Sequence, residues 1–408
     1  VPRETHPGER RVALVPTALG PLLQARVEVR VESGAGERAG YRDTAYTEKG
    51  AAVGSRTEVL ASDVLLQVRS LATADAEAAG GDLRALRPGQ TLIGLADPLS
   101  GRSALREVVS TGAALFALEL LPRTTRAQTM DALSSQATIA GYKAVALAAE
   151  SAWKIFPKLT TAAGTLAPVR AFVVGAGVAG LQAIATARRL GAIVEAYDVR
   201  PAVREQVESV GARFVELPLE GGEGAGGYAR EMDESFYRRQ RETMARVVAA
   251  SDVVVTTAAV PGRRAPLLVT SEMVDAMAPG SVVVDLAAAQ GGNCEATRAD
   301  EVVVRGGVTI LGPTNLAASA PFHASQLYAR NLTAFLLHHL RDGALRLDTE
   351  DEITRETLVA QGGEIVHPRV REALGLGELA GKPPAADAAP AAAGSTVTSA
   401  GGSGREGV

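Results

Sequence analysis

Residues 173–198 contain Val173-Val174-Gly175-Ala176-Gly177-Val178-Ala179-Gly180 and, after a helix-like run, Ile193-Val194-Glu195-Ala196-Tyr197-Asp198. An apolar strand leads into three glycines spaced G-x-G-x-x-G, and a carboxylate ends the next apolar run. Each part has a physical task in holding a dinucleotide. Gly175 permits the tight turn from strand to helix. Gly177 has no side chain, so a pyrophosphate can approach the backbone, and Gly180 lets helix and strand pack closely. The helix that starts there offers N–H groups and a positive dipole end to phosphates. Val178 and Ala179 begin that helix and join the binding set. Asp198, followed by Val199, stands where a carboxylate can take the hydroxyls of an adenine ribose. A 2′-phosphate would be repelled there, which favours NAD(H) over NADP(H). Arg200 and Arg204 are close enough to hold a phosphate, but read as secondary to the aspartate and as a solvated face.

The rest of the chain supports an α/β protein. Apolar runs at Val27–Val31, Val64–Val68, Thr91–Leu95 and Ala113–Ala117 alternate with helix-like stretches, which predicts a first parallel-sheet domain. The Ala-rich span 138–156 predicts a long connecting helix. A second α/β unit follows, with strands expected at Ala171–Gly175, Ile193–Asp198, Arg213–Val215, Val253–Thr257, Ser281–Asp285 and Thr309–Leu311. Helical spacing marks Glu205–Val210, Met232–Ala250 and Ser325–Leu340, the last as a return to the first domain. The expected architecture is two Rossmann-like, doubly wound parallel-sheet domains with a cofactor cleft between them. They would span 1–137 with 325–375, and 138–324. Gly221–Gly227 reads as a mobile glycine loop. Residues 376–408 are rich in Ala, Pro, Gly and Ser and read as a disordered tail.

Composition excludes several classes. A formal charge of −4 gives no electrostatic footprint for nucleic acid. The run Ala113–Leu121 is interrupted by Glu119 and falls short of the ~18 apolar residues that span a bilayer. The one cysteine, Cys294, excludes an internal disulfide and a cysteine metal cluster. His338 and His339 are adjacent on a helix, so they face different ways and make a poor metal pair. No signal peptide is visible. The chain starts at Val1 without methionine, and a few residues of a first strand are expected before it.

Three further segments carry candidate chemistry. Pro122-Arg123-Thr-Thr-Arg126-Ala-Gln128-Thr-Met-Asp131-Ala-Leu-Ser134-Ser-Gln136 is unusually polar for a segment between a strand and a connecting helix. Its side chains can reach across a cleft, or simply form a surface loop with a capping aspartate. Val255-Thr-Thr257-Ala258-Ala259-Val-Pro261-Gly262 ends a strand in small residues, suiting a nucleotide laid against backbone or tight packing. Asp285 reads as structural, bonding backbone near its turn. Arg11, in Glu9-Arg10-Arg11-Val-Ala-Leu, suits either a substrate carboxylate or a structural ion pair.

Together these motifs resemble the family of NAD(H)-binding subunits of proton-translocating NAD(P) transhydrogenase. The resemblance covers nearly all of residues 1–370. It rests on Arg126–Gln136, Gly175–Ala187, Glu205–Ser209, Gly226–Met232, Val284–Ala287 and Gly291–Cys294. It implies a homodimer at the cytoplasmic, inner face of the plasma membrane, passing hydride from NADH to NADP⁺ on a separate NADP-binding domain. A membrane subunit would couple this to proton movement, as a separate polypeptide since the chain stops at Val408. By resemblance, Arg123, Gln128, Asp131 and Ser134 orient the nicotinamide half. Gly227 and Tyr228 belong to a loop that closes over the cofactor. Thr257, Ala258 and Ala259 line the pocket, Ala259 replacing a larger expected aliphatic residue.

The rival is alanine dehydrogenase, which the Glu9–Leu14 opening also resembles. That chemistry must deprotonate an amine and polarise a carbonyl, so it needs ionisable groups beside the nicotinamide. In that family a lysine, a histidine and an aspartate supply them. Here the corresponding stretches read Gln67-Val-Arg69, Leu95-Ala-Asp97 and Ala288-Ala289-Gln290. A third reading, an NAD-binding regulatory module, leaves the polar segment unexplained.

Overall fold

The computed structural model describes residues 1–74, 77, 79–101, 103–216, 234–259, 262–341, 343–377 and 379. The glycine loop 221–227, Gly227, Tyr228, Pro261 and the tail from 381 onward lie outside the described residues.

A seven-stranded sheet is built around the glycine motif. Its strands run Arg213–Phe214, Ile193–Tyr197, Arg170–Val174, Val253–Thr256, Val282–Asp285, Val308–Leu311 and Val302–Arg305. All pairings are parallel except the last, which is antiparallel. Taken in chain order, the parallel strands lie third-second-first-fourth-fifth-sixth, the doubly wound dinucleotide order. The order reverses between Arg170–Val174 and Val253–Thr256, so a crevice opens beyond their carboxyl ends. Alternate residues enter separate cores: Ala171 and Val173 on one face, Phe172 and Val174 on the other. Burial on both faces explains why these strands read as unbroken apolar runs.

A five-stranded sheet forms the other half. Val64–Arg69, Thr91–Leu95 and Ala114–Ala117 are parallel. Leu358–Gln361 then pairs antiparallel with Ala114–Ala117 and Glu364–Ile365 extends the edge, so this sheet is mixed rather than wholly parallel. Tyr328, Leu332 and Phe335 of the Pro321–His339 helix share a core with Leu14, Leu19 and Phe116.

Three boundaries differ from expectation. The strand expected at Val27–Val31 is Arg30–Glu32, because Val27 N–H instead closes the preceding helix on Leu22 O at 3.0 Å. The connecting helix is Ala132–Ser151, not 138–156. Asp131 caps it by accepting from Ser134 N–H at 2.8 Å, so the polar segment's last residues, Ala132–Gln136, belong to the helix. The Pro321–His339 helix starts four residues before Ser325, with proline in its first position, where a missing N–H costs nothing.

Candidate nucleotide cleft

A cleft of about 800 Å³ lies between the two sheets, at the carboxyl ends of their strands. Gly175, Gly177, Val178 and Ala179 line it from the glycine turn, and Asp198 and Val199 from the end of the next strand. Thr257, Ala258 and Ala259 line it from across the switch point, and Arg123 and Ser134 from the polar segment. Gln128 is exposed, and neither it nor Asp131 lines the cleft. Asp131 acts one step back: its carboxylate accepts from the Ser134 hydroxyl at 2.5 Å as well as from its N–H.

The glycine turn shows why its residues must be small. Gly175 has φ +97°, a left-handed conformation that favours glycine, and a Cβ there would lie 2.5 Å from Thr257 Oγ1. A Cβ on Gly180 would lie 1.8 Å from the Gly175 carbonyl oxygen. Gly180 therefore sits beneath the cleft and sets how closely the Val178–Arg189 helix meets the sheet. Above Gly177 a Cβ would meet nothing within 4 Å. The turn thus leaves open space over its backbone, beside the helix start, as a pyrophosphate seat needs.

Asp198 is buried at the cleft wall and bonded on both oxygens, from Ala176 N–H at 2.7 Å and from Arg200. Arg200 is thus no solvated face. Its guanidinium lies on the aspartate with its side chain only 15% exposed, because the short Asp-Val-Arg spacing folds it back. Arg204, by contrast, is half exposed and pairs with Glu208 and Glu216.

Arg11 is buried and forms the ion pair that the structural alternative expects. Its Nε and Nη2 donate to Glu9 at 2.8 and 2.6 Å, and Nη1 donates to Gln136 Oε1 at 2.8 Å. Both partners of the ion pair are buried. Burial pushes the Glu9 carboxyl up, but the Arg11 hydrogen bonds and charge outweigh it and hold it at about 2. His338 and His339 take different partners, although their rings meet edge-on with centroids 5.0 Å apart: the first meets Asp351 at 2.8 Å, and the second meets Phe335 O and Thr354 Oγ1.

Sequence reading passes over Glu119, which stands out there only as a break in an apolar run. It lines the cleft, and its Oε1 accepts from the N–H groups of Ala96 and Asp97. That holds Asp97 at φ +44°, left-handed for a non-glycine residue. A lone carboxylate inside an otherwise apolar strand end is the available signal. Burial pushes its pKa up to about 7. The folded state therefore keeps a proton that the unfolded chain loses above its ordinary 4.5, so stability falls as pH rises from about 4.5 through about 7. Glu119→Gln keeps the acceptor without the titration and should flatten that fall. Urea midpoints from pH 5 to 8, read against the native protein, would show it. Glu4, also raised to about 7 by burial, adds to the fall, while the Val1 amino terminus, lowered to about 5 by burial, and the lowered His339 and His367 oppose it in both proteins. An unchanged slope would mean that Glu119 is ionised throughout.

The positions that distinguish the rival chemistry also face the cleft. Arg69, Asp97 and Ala289 line it, and its described lining contains neither lysine nor histidine.

Residues 1–140 match the family described as "Alanine dehydrogenase/PNT, N-terminal domain", and residues 144–368 its C-terminal domain. The chain is 43% identical to an NAD(P) transhydrogenase subunit alpha polypeptide of Rhodospirillum rubrum, over 90% of this chain and 97% of that protein. The crystal structure of transhydrogenase from Sinorhizobium meliloti superposes with a TM-score of 0.81 at 43% identity, covering 90% of this chain and 99% of that one. An alanine dehydrogenase of Halomonas elongata is 28% identical, over 92% of this chain and 96% of that protein. The chain therefore belongs to the alanine dehydrogenase/PNT family and is a homologue of NAD(P) transhydrogenase subunit alpha.

Proposed function

We propose that this chain is the NAD(H)-holding component of a proton-translocating transhydrogenase of the Si-specific type, active only with its partner subunits. The observation that carries the reading is the makeup of the cleft. A dinucleotide turn and Asp198 face Arg123 and Ser134, while the lysine and aspartate positions of the rival enzyme hold Arg69 and Ala289. Bound NADH supplies a hydride, and the acceptor is NADP⁺ on a separate domain. Direct transfer between two nicotinamides requires ring alignment and exclusion of water, not an acid or base in the protein.

Each residue then has a task. The open backbone at Gly177–Ala179 receives the pyrophosphate, with Gly175 and Gly180 shaping the turn. Asp198 takes the adenine ribose, and Val199, Thr257, Ala258 and Ala259 pack beside the nucleotide. Arg123 and Ser134, the latter steered by Asp131, orient the nicotinamide half. Gln128 joins them from its exposed position, and by resemblance the covering role falls to Gly227 and Tyr228, which lie outside the described residues.

The reading extends to assembly. Residues 1–137 with 325–375 and residues 138–324 act as two domains about the cleft, and the tail from 381 onward, outside the described residues, serves as a tether remnant or a loose docking arm. The chain forms a homodimer, which the exposed apolar residues Tyr142, Trp153 and Ile155, and Leu159 and Leu166 of the exposed 159–166 hairpin, favour. Among the described residues no helix is long and apolar enough to cross a membrane. In this proposal, attachment to the cytoplasmic face of the plasma membrane runs through the partner membrane subunit.

Hydride transfer from NADH to an NADP⁺ analogue of distinct absorbance tests the function. It should appear only when an NADP-binding domain of this family is added. Turnover of L-alanine with NAD⁺ alone would replace the proposal with the dehydrogenase reading. Asp198→Ala should weaken NADH binding about tenfold, as losing charge-assisted bonds to the ribose implies, and relax discrimination against NADPH. Unchanged selectivity in a fluorescence titration would take Asp198 off the ribose.

A further inference from the structure

The bonding of Asp198 has a consequence for how a nucleotide enters. A carboxylate offers about four acceptor positions, two on each oxygen. Here Oδ1 accepts from Arg200 N–H and Nε, both at 2.9 Å. Oδ2 accepts from Ala176 N–H at 2.7 Å and Arg200 Nη2 at 2.9 Å. All four positions are filled. Two of the donors are backbone groups fixed by the glycine turn and by the residues after the strand. The other two sit on one rotatable side chain. A ribose diol also brings two O–H donors. It fits this carboxylate only if the two guanidinium N–H groups leave.

We propose that the Arg200 guanidinium is a resident competitor for the adenine-ribose seat. It occupies the two Asp198 acceptor positions that a nucleotide's vicinal diol takes, so its displacement sets NAD(H) affinity and nucleotide selectivity. The proposal rests on the reading of the cleft as an NAD(H) site. The exchange is two donors for two, so it tunes binding rather than forbidding it. The same guanidinium acts oppositely on a 2′-phosphorylated ribose. A planar cation beside the 2′ position pairs with phosphate and offsets the repulsion of Asp198. Arg200 thus holds NADH affinity down and NADPH affinity up. It narrows the discrimination that Asp198 alone would impose.

The test is fluorescence titration of the full-length chain with NADH and with NADPH, for the native protein and Arg200→Met. The variant keeps an apolar stem and removes both competing donors. NADH should bind about 3- to 10-fold tighter, the size expected for a pair of exchanged hydrogen bonds, and NADPH no tighter. Arg200→Lys, which keeps a cation but not the fork, should fall between. Should Arg200→Met fail to fold, as a thermal melt would show, Arg200→Leu, which also lacks donors, carries the same expectation. NADH affinity unchanged or weakened in the folded variant overturns the proposal. Asp198→Asn separates the two levels. If NADH binding survives that change in full, the ribose seat is elsewhere and the site reading falls. If it drops while Arg200→Met is neutral, only the competition falls.

Discussion

Replacing Gly141 with alanine is expected to destabilise the protein by about 3 kcal/mol and to weaken NADH binding at the same time. Gly141 lies inside the Ala132–Ser151 helix, where helix propensity alone would favour alanine by about 1 kcal/mol. Sterics decide against it. A Cβ at this position would lie 2.1 Å from the Ala179 carbonyl oxygen, 2.9 Å from its carbon and 3.1 Å from its Cα. These are backbone atoms in the first turn of the Val178–Arg189 helix, so no side chain can rotate away. The two helices must part, and the glycine turn at Gly175–Gly180 moves with the second of them. Urea unfolding measures the first effect and NADH titration the second. A variant as stable as the native chain would show that the helices separate freely, and that glycine is dispensable there.

That position also shows where sequence reading succeeds and stops. The glycine spacing announces a strand, a turn and a helix, and the structure has them at Arg170–Val174 and Val178–Arg189. Strands such as Thr91–Leu95 and Val253–Thr256 are legible because each is an apolar run closed by turn residues. Leu358–Gln361 is not, since its partner Ala114–Ala117 is more than 200 residues away and four residues carry no period. Val302–Arg305 escapes for the opposite reason. It is an edge strand with Val302 and Val304 exposed at 66% and 67%, so its apolar character reports no burial. The site divides in the same way. Asp198 is legible from its spacing to the glycines. The role of Arg11 is not, because Gln136 and Asn315 reach it from distant parts of the chain. Glu119 stays hidden because its work is to hold the backbone of Ala96 and Asp97 just beyond the end of a neighbouring strand.

Asp285→Ala is expected to cost about 4 kcal/mol or more, a larger loss than at Gly141, because it orphans several buried donors at once. The side chain is fully buried at the end of Val282–Asp285. Its Oδ1 accepts from Thr256 Oγ1 at 2.9 Å and Ala287 N–H at 3.0 Å. Its Oδ2 accepts from Asn293 N–H at 2.7 Å, Cys294 N–H at 3.0 Å and Thr297 Oγ1 at 2.8 Å. Three of the five donors are backbone N–H groups that cannot turn to water. Asparagine offers little relief, since either placement of its NH₂ group points a donor at donors. The damage extends to the cleft through one residue. Asn293, whose N–H is held by Asp285, donates its amide to Ala258 O at 2.8 Å and accepts from Ala258 N–H at 3.0 Å. Ala258 lines the cleft, so losing Asp285 should loosen a wall that the aspartate never touches. Denaturant unfolding reads the stability term. Where Asp285→Ala is too unstable to purify, Asn293→Ala reads the functional one: it breaks only the link to Ala258 and Pro266, and should lower NADH affinity with a smaller loss of stability. An Asp285→Ala protein that unfolds at the native midpoint would show that these donors find other partners, and the carboxylate would then not be the keystone of this turn.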